Sequence, residues 1–417
     1  MSETRHAAAN AETFRRFCAS EPVLEDVKPA LEAMPGMTRE TILTSGPPLP
    51  WREYTGGQRA AIIGGALFEG LAKNAAEAEA KLNAGEIRVR GCHDLGAVGS
   101  LAGIYTASMP VFVVRNKTFG NVGFCNFYEG TNPRRLNYGV YDDGVRDRLL
   151  YVQETVAPVL SEAVRAAGGI SLKPIMKRAL HMSDELHSRN TAASLLFLRD
   201  LFPAFLALAG SKRAAVEKTV AALTEDHYFF LRLSMAAAKA TADAGHGIEG
   251  SSVVCAMGFS CKEFGIRVSG LGDEWFTGPH PTVQAKLFDG HTEDEISWMG
   301  GESIIAETIG LGGFAQAAAF PLQAYQGGEP QAMVERNLAL YKITVGENTD
   351  FHIPFLKYRG TPTGIDICKV LEAGITPAMN IGIAGRDGGQ IGAGIVRAHA
   401  ACFVRAQNAY KKKYGGA

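Results

Sequence analysis

The sequence predicts an α+β protein of more than one domain, and three observations carry that reading. Its 417 residues exceed what one hydrophobic core usually spans. Short β-branched or aromatic runs bounded by Gly, Asn or Pro occur in both its first and its last third. Between them, from Val145 to Ala244, apolar residues recur at helical intervals with almost no strand signal. The expected division is an N-terminal α/β region over 1–144, a helical region over 145–248 and a glycine-rich α+β region over 249–417.

Taken in order, residues 11–34 and 57–83 carry helical spacing, the second being rich in strong helix formers. After Asn83-Ala84-Gly85 the period changes, and IRVRG, PVFVVRN and GFCNFYE read as strands. The helical stretch runs from VRDRLLYVQETVAPVLSEAV through KPIMKRALHM to HYFFLRLSMAAAKATADA. From Ser251, SVVCAM and FGIRVSG read as strands, and GGESIIAETIGLGGFAQAAAF reads as a helix interrupted by glycine. The tail GITPAMNIGIAGRDGGQIGAGIVRAHAACFVRA is dense in glycine and ends in a closing helix.

Composition narrows the function classes. Hydrophobic residues make up 46% and charged residues 20%, and 42 Lys plus Arg stand against 43 Asp plus Glu. That balance argues for a chain folded throughout and against polyanion binding, nucleic acid included. The first twenty residues lack an apolar h-region, and the most apolar windows fall short of the roughly 20 residues a bilayer span requires. The seven cysteines (Cys18, Cys92, Cys125, Cys255, Cys261, Cys368, Cys402) form no CxxC pair and suit reduced thiols. A cytoplasmic enzyme acting on a small molecule is expected, with no membrane partner and no cofactor.

Four segments could hold its chemistry. Glycine costs chain entropy and is kept where backbone turns sharply or approaches something closely, so the tail offers either anion-binding backbone N–H groups, around Gly392 and Gly394, or tight packing between strands. Arg386 and Arg397 flank it. HMSDELHSRN (181–190) is the densest polar cluster. On a helix His181, Asp184 and Glu185 share one face, a spacing that permits metal ligation or acid/base work by Glu185, while His187 lies off it. Arg189 and Asn190 extend that cluster. Cys92-His93-Asp94 ends a strand, with His93 the acid/base candidate and Cys92 packing inward. Glu129 and Arg267 place charges in predicted strands, where each needs a partner or a ligand, and Glu263 could pair with Arg267.

The segments TSGPPLPW, GALFEG, GCHDLGAVGSLAGIYTASMPV, HMSDELHSRN, EFGIRVSGLGDEWFT, GIDICKVLEAGITPAMNIGIA and GGQIGAGIVRA resemble the AllG-like (YlbE/YahG-like) bacterial family, from about Phe14 to Ala406. That family includes a subunit of oxamate carbamoyltransferase. The resemblance implies a three-part α+β architecture, purine-nitrogen catabolism with allantoin degradation, and conversion of oxalurate and phosphate to oxamate and carbamoyl phosphate by an assembly with an FdrA-like subunit. Such a transfer needs anion sites for phosphate and carboxylate and donors for a tetrahedral oxyanion.

The resemblance supplies no catalytic residues, so roles follow from residue chemistry. Arg267 and Arg397 suit anion contacts, Asn190 and Asn380 oxyanion contacts, and His93 or His187 proton transfer. The SxRTR phosphate loop of ordinary carbamoyltransferases is absent. Two alternatives stand beside this one: a metal-dependent amide hydrolase using His181, Asp184, Glu185 or His187, and a non-catalytic partner of an FdrA-like subunit. Alanine-rich helix faces fit a homo-oligomer.

Overall fold

A computed structural model describes residues 3–225 and 228–415. Helices and several small sheets are mixed along the chain, as an α+β fold requires. The largest sheet runs Ala97–Val98, Val122–Asn126, Pro110–Asn116, Pro22–Pro29, Ile170–Ser171, antiparallel except for its first pair. The strand Pro22–Pro29 pairs with the central strand, Pro22 opposite Asn116 and Pro29 opposite Pro110.

That strand corrects the helix expected over 11–34. The helix Glu3–Ala19 ends before Pro22, whose ring cannot continue it, and Leu24 and Val27 turn into the core from an extended chain. The helix expected over 57–83 is two, Gly56–Phe68 and Ala75–Ala84. Gly70 at φ +73° breaks the run, and Asn74 caps the second helix by accepting from the Glu77 N–H at 2.9 Å. The glycine-interrupted helix expected over 300–320 reduces to Ile305–Thr308 and a 3-10 segment Gly312–Ala318.

The helices of the middle stretch pack on the large sheet. Leu24, Phe112 and Cys125 share one core with Leu160, Ala163 and Leu233, and the helix Phe229–Ala244 is buried almost all round. The helix Thr191–Glu225, kinked at Lys212, is long and apolar enough to cross a membrane by length and composition, which the windows read from the sequence missed. One of its faces is core, through Phe197, Leu201 and Phe205, and the other exposes Leu195, Phe202 and Leu206.

A second core lies between the sheet Phe276–Gly278, Phe264–Val268, Val254–Phe259 and the sheet Val283–Leu287, Gln390–Arg397, Ala378–Ala384, closed by the helix Ala400–Tyr414. The N-terminal helix ties to this half: Asn10 bonds Ser252 at 2.9 Å and Asp366 at 3.0 Å.

Candidate active site

A cavity of ≈ 100 Å³ lies where five stretches meet: 100–101, 128–138, 187–188, 228–232 and 297–304, with 381–390 of the glycine-rich tail closing it. Its size suits a small molecule and falls below the range typical of drug-sized ligands. Two clusters of buried polar groups face it.

The first is built on arginine. Glu129 accepts the N–H of Leu136 at 2.6 Å and of Asn137 at 3.0 Å, which bends 127–141 back on itself. Gly139, at φ +80°, completes the turn, and a Cβ there would lie 2.6 Å from the Gly57 backbone. This places Arg135 between two rings, 4.9 Å from Tyr128 and 4.5 Å from Tyr138. Arg232 reaches the same place from the helix Phe229–Ala244, 5.7 Å from the Tyr128 ring. Arg135 Nη1 donates to the Gly130 carbonyl at 3.0 Å and Arg232 Nη1 to Asn126 Oδ1 at 3.0 Å. Each leaves its Nε–H without a hydrogen-bond partner, although Arg135 is 6% and Arg232 3% exposed. A buried charged donor left unmade is costly, and a bound carboxylate or phosphate is the natural remedy.

The second cluster centres on His187. The helix Leu172–Leu180 stops at His181, and Ser183 and Leu186 take positive φ of 69° and 68°. The helix expected across 181–190 therefore does not form. Glu185 folds the segment instead, accepting the N–H of His187 at 3.0 Å, Ser188 at 2.5 Å and Arg189 at 3.0 Å, and Asn380 Nδ2 at 2.7 Å. Glu307 accepts from His187 Nδ1 at 2.9 Å and from the N–H of Gly313 and Asn380, both at 2.9 Å. Burial alone would lower the His187 pKa, but the Glu307 and Glu185 carboxylates outweigh it and the imidazole is raised above its ordinary value. Burial raises Glu185 as well. With Nδ1 held by a carboxylate, Nε2 is the nitrogen left to exchange a proton with the cavity.

The remaining residues singled out from the sequence lie elsewhere. His181 is exposed and stacks edge-on against Tyr358, away from buried Asp184 and Glu185, so the helical face proposed for metal ligation does not exist. Among the described residues the group with metal-ligand spacing is His6, Asp366 and Cys368. Asn190 donates to the His187 carbonyl at 2.8 Å, and Asn380 bridges Glu185 and Gln316 behind the cavity wall. Arg189 bonds the Ser183 carbonyl at 2.9 Å. Arg267 pairs with Asp94 at 2.6 Å, not with Glu263, and stacks on Trp275. Arg397 is exposed and bonds the Thr376 carbonyl at 3.3 Å; Arg386, also exposed, bonds the Asp294 carbonyl.

Gly392 and Gly394 serve close strand packing. A Cβ would meet the Lys286 carbonyl oxygen at 2.7 Å in one and the Gln284 carbonyl oxygen at 2.3 Å in the other. The tail reaches the cavity through Ile381, Gly382, Ala384 and Gln390. His93 is buried outside the lining, against Lys239 at 3.0 Å, and joins the site through Glu302, between the lining residues Gly301 and Ser303.

Sequence reasoning passed over Arg135, Arg232, Tyr128 and Tyr138. A signal was present: an arginine inside the apolar helix run FFLRLSM, and arginines interleaved with tyrosines in FYEGTNPRRLNYGVY.

Comparison with known proteins places this geometry. Residues 87–303 match the family described as oxamate carbamoyltransferase subunit AllG. The Escherichia coli (strain K12) protein named oxamate carbamoyltransferase subunit AllG is 39% identical over 99% of each chain. Another protein of that strain, named uncharacterized protein YahG, is 39% identical over 98% of this chain and 87% of its own length. A crystal structure of a conserved protein of unknown function from Enterococcus faecalis V583 superposes with a TM-score of 0.94 at 38% identity, covering 97% of both chains. The chain that builds this two-arginine cavity belongs to the AllG family.

Proposed function

We propose that the chain is a subunit of an oxamate-carbamoyltransferase-type enzyme whose cavity binds the small anionic reactants of carbamoyl transfer. The observation that carries this reading is the pair of buried guanidinium groups, Arg135 and Arg232, each with an unpartnered Nε–H, beside His187 held on Glu307. In the reaction a phosphate oxygen attacks the carbamoyl carbon of oxalurate and the bond from that carbon to the oxamate nitrogen breaks. One proton passes from the attacking phosphate hydroxyl to the leaving nitrogen, giving carbamoyl phosphate and oxamate. His187 Nε2 carries that proton, and the arginines hold the carboxylate or phosphate while charge gathers on the tetrahedral oxygen. The relative named as a subunit supports a multi-subunit assembly, which we assign an FdrA-like partner.

The test is phosphorolysis of oxalurate by the chain alone and by the chain assembled with an FdrA-like subunit, repeated with His187→Gln. General acid–base removal is expected to slow the assembled enzyme by about 10²–10⁴-fold while co-purification of the subunits persists. A wild-type rate from His187→Gln in the assembly would make this chain a non-catalytic partner.

A further inference from the structure

We infer that Glu302, backed by His93 and Lys239, is a positioning residue that locks three glycine loops into the wall of the anion cavity. The inference rests on the reading of that cavity given above and concerns how the cavity keeps its shape and charge.

Glu302 is fully buried and touches every loop of that wall. Its Oε1 accepts the Gly46 N–H at 2.8 Å and its Oε2 the Gly99 N–H at 2.9 Å, while its own N–H donates to the Gly99 carbonyl at 2.7 Å. The preceding residue, Gly301, exchanges both backbone bonds with Phe259. The loops lie too close for side chains. A Cβ on Gly46 would sit 2.0 Å from the Phe259 carbonyl oxygen, on Gly99 2.3 Å from Gly103 Cα, and on Gly300 2.6 Å from Ser45 Oγ. Ser100, Leu101, Gly300, Gly301 and Ser303, all next to these bonds, line the cavity. One carboxyl therefore ties residues 256 and 203 positions before it in the chain, Gly46 and Gly99, into a single wall.

The groups behind the carboxyl fix its surroundings. Lys239 contacts His93 Nδ1 at 3.0 Å and Asp243 at 2.7 Å. An ammonium has no lone pair, so Nδ1 accepts and the ring proton of His93 sits on Nε2. That buried N–H has no hydrogen bond and lies 3.8 Å from Glu302 Oε1, a gap that a sub-ångström shift closes. Burial, then Lys239 and Arg267, hold His93 well below its usual pKa and thus neutral.

Burial pushes Glu302 up to about 8, so at neutral pH its carboxyl is largely protonated, one oxygen a full acceptor and the other a hydroxyl, beside a site for anions. Ionised, it would repel them. The thiols and phenols around it are all pushed away from that pH. Cys92 and Tyr105 are raised well above their ordinary values, Cys125 is raised to about 11 and Tyr54 is raised as well. His187, on the opposite wall, contributes its own step in both wild type and variant.

The test titrates the full chain with oxamate by calorimetry from pH 6.5 to 9.5, with hydrogen exchange on the same samples, for wild type, Glu302→Ala and Glu302→Gln. Alanine is expected to weaken binding about tenfold, roughly the worth of one neutral hydrogen bond, with faster exchange confined to 45–47, 99–103 and 300–303. Glutamine is expected to recover most of the affinity and to lack the wild-type weakening centred near pH 8. Unchanged affinity in Glu302→Ala, exchange raised equally in the strand Pro22–Pro29 outside the cavity, or a pH profile of Glu302→Gln that overlays the wild-type profile would each overturn the inference. Should wild type bind neither oxamate nor phosphate, the cavity reading fails by itself. The exchange data then still decide whether Glu302 holds the wall.

Discussion

At the scale of single residues, the site is a balance between buried charge and the partners that make it tolerable. Tyrosine rings and an oxygen acceptor, the Gly130 carbonyl for Arg135 and Asn126 Oδ1 for Arg232, cover part of each buried guanidinium, and the Nε–H of each is left without a hydrogen-bond partner. His187 shows the same balance from the other sign. Since Glu307 raises its pKa, Glu307→Gln should lower it, read as an upfield-to-downfield histidine titration moved to lower pH by NMR; an unmoved titration would remove Glu307 from that role. The linkage follows. A raised histidine contributes stability that is complete below its unfolded value of about 6.5 and is lost as pH rises through the folded value. Glu302, raised to about 8, acts in the same direction, costing stability as pH climbs from the ordinary carboxylate range to about 8. Wild type should therefore lose thermal stability over that interval more steeply than Glu302→Gln, and parallel curves would contradict it. Of these residues the sequence made His187 and Glu185 visible through their dense polar neighbourhood. Glu307 carries no such local mark, because its bond to His187 spans 120 residues.

Elements show which sequence patterns carry structure and which mislead. The β-branched runs at 110–116, 254–259 and 264–268 form strands because alternate or continuous burial rewards extended chain there. The 181–190 segment has helical spacing on paper, yet Glu185 draws three consecutive backbone N–H groups and turns the chain out of the helix. The glycine-rich tail was readable as either anion loop or tight packing, and its two ends divide: Gly382 lines the cavity, whereas Gly392 and Gly394 let the strand Val283–Leu287 approach. Gly394→Ala should accordingly cost about 1–3 kcal/mol in urea unfolding through overpacking and leave oxamate affinity unchanged. Lost affinity with stability intact would return Gly394 to the anion site. In the helix Phe229–Ala244 the apolar sequence hides two buried cations, Arg232 for the cavity and Lys239 for His93, one helix thereby serving both clusters.

Across the whole molecule, the α+β class was legible because local periodicity changes at the right places, while the site was not, because it is assembled from stretches scattered along the chain from 100–101 to 381–390. Convergence of that kind depends on how the large sheet, the helices packed on it and the C-terminal sheets meet, and no local motif records it. The exposed apolar face of Thr191–Glu225, with Leu195, Phe202 and Leu206, belongs to the same scale. The central claim, that two buried arginines make this cavity an anion site, is tested most directly by titrating the chain with oxamate and with phosphate, comparing wild type with Arg135→Met and Arg232→Met. Binding by wild type and a loss of about 10–100-fold in either variant, the worth of a charged hydrogen bond, is the expected result when both variants unfold as cooperatively as wild type. Equal affinity in all three proteins would contradict it.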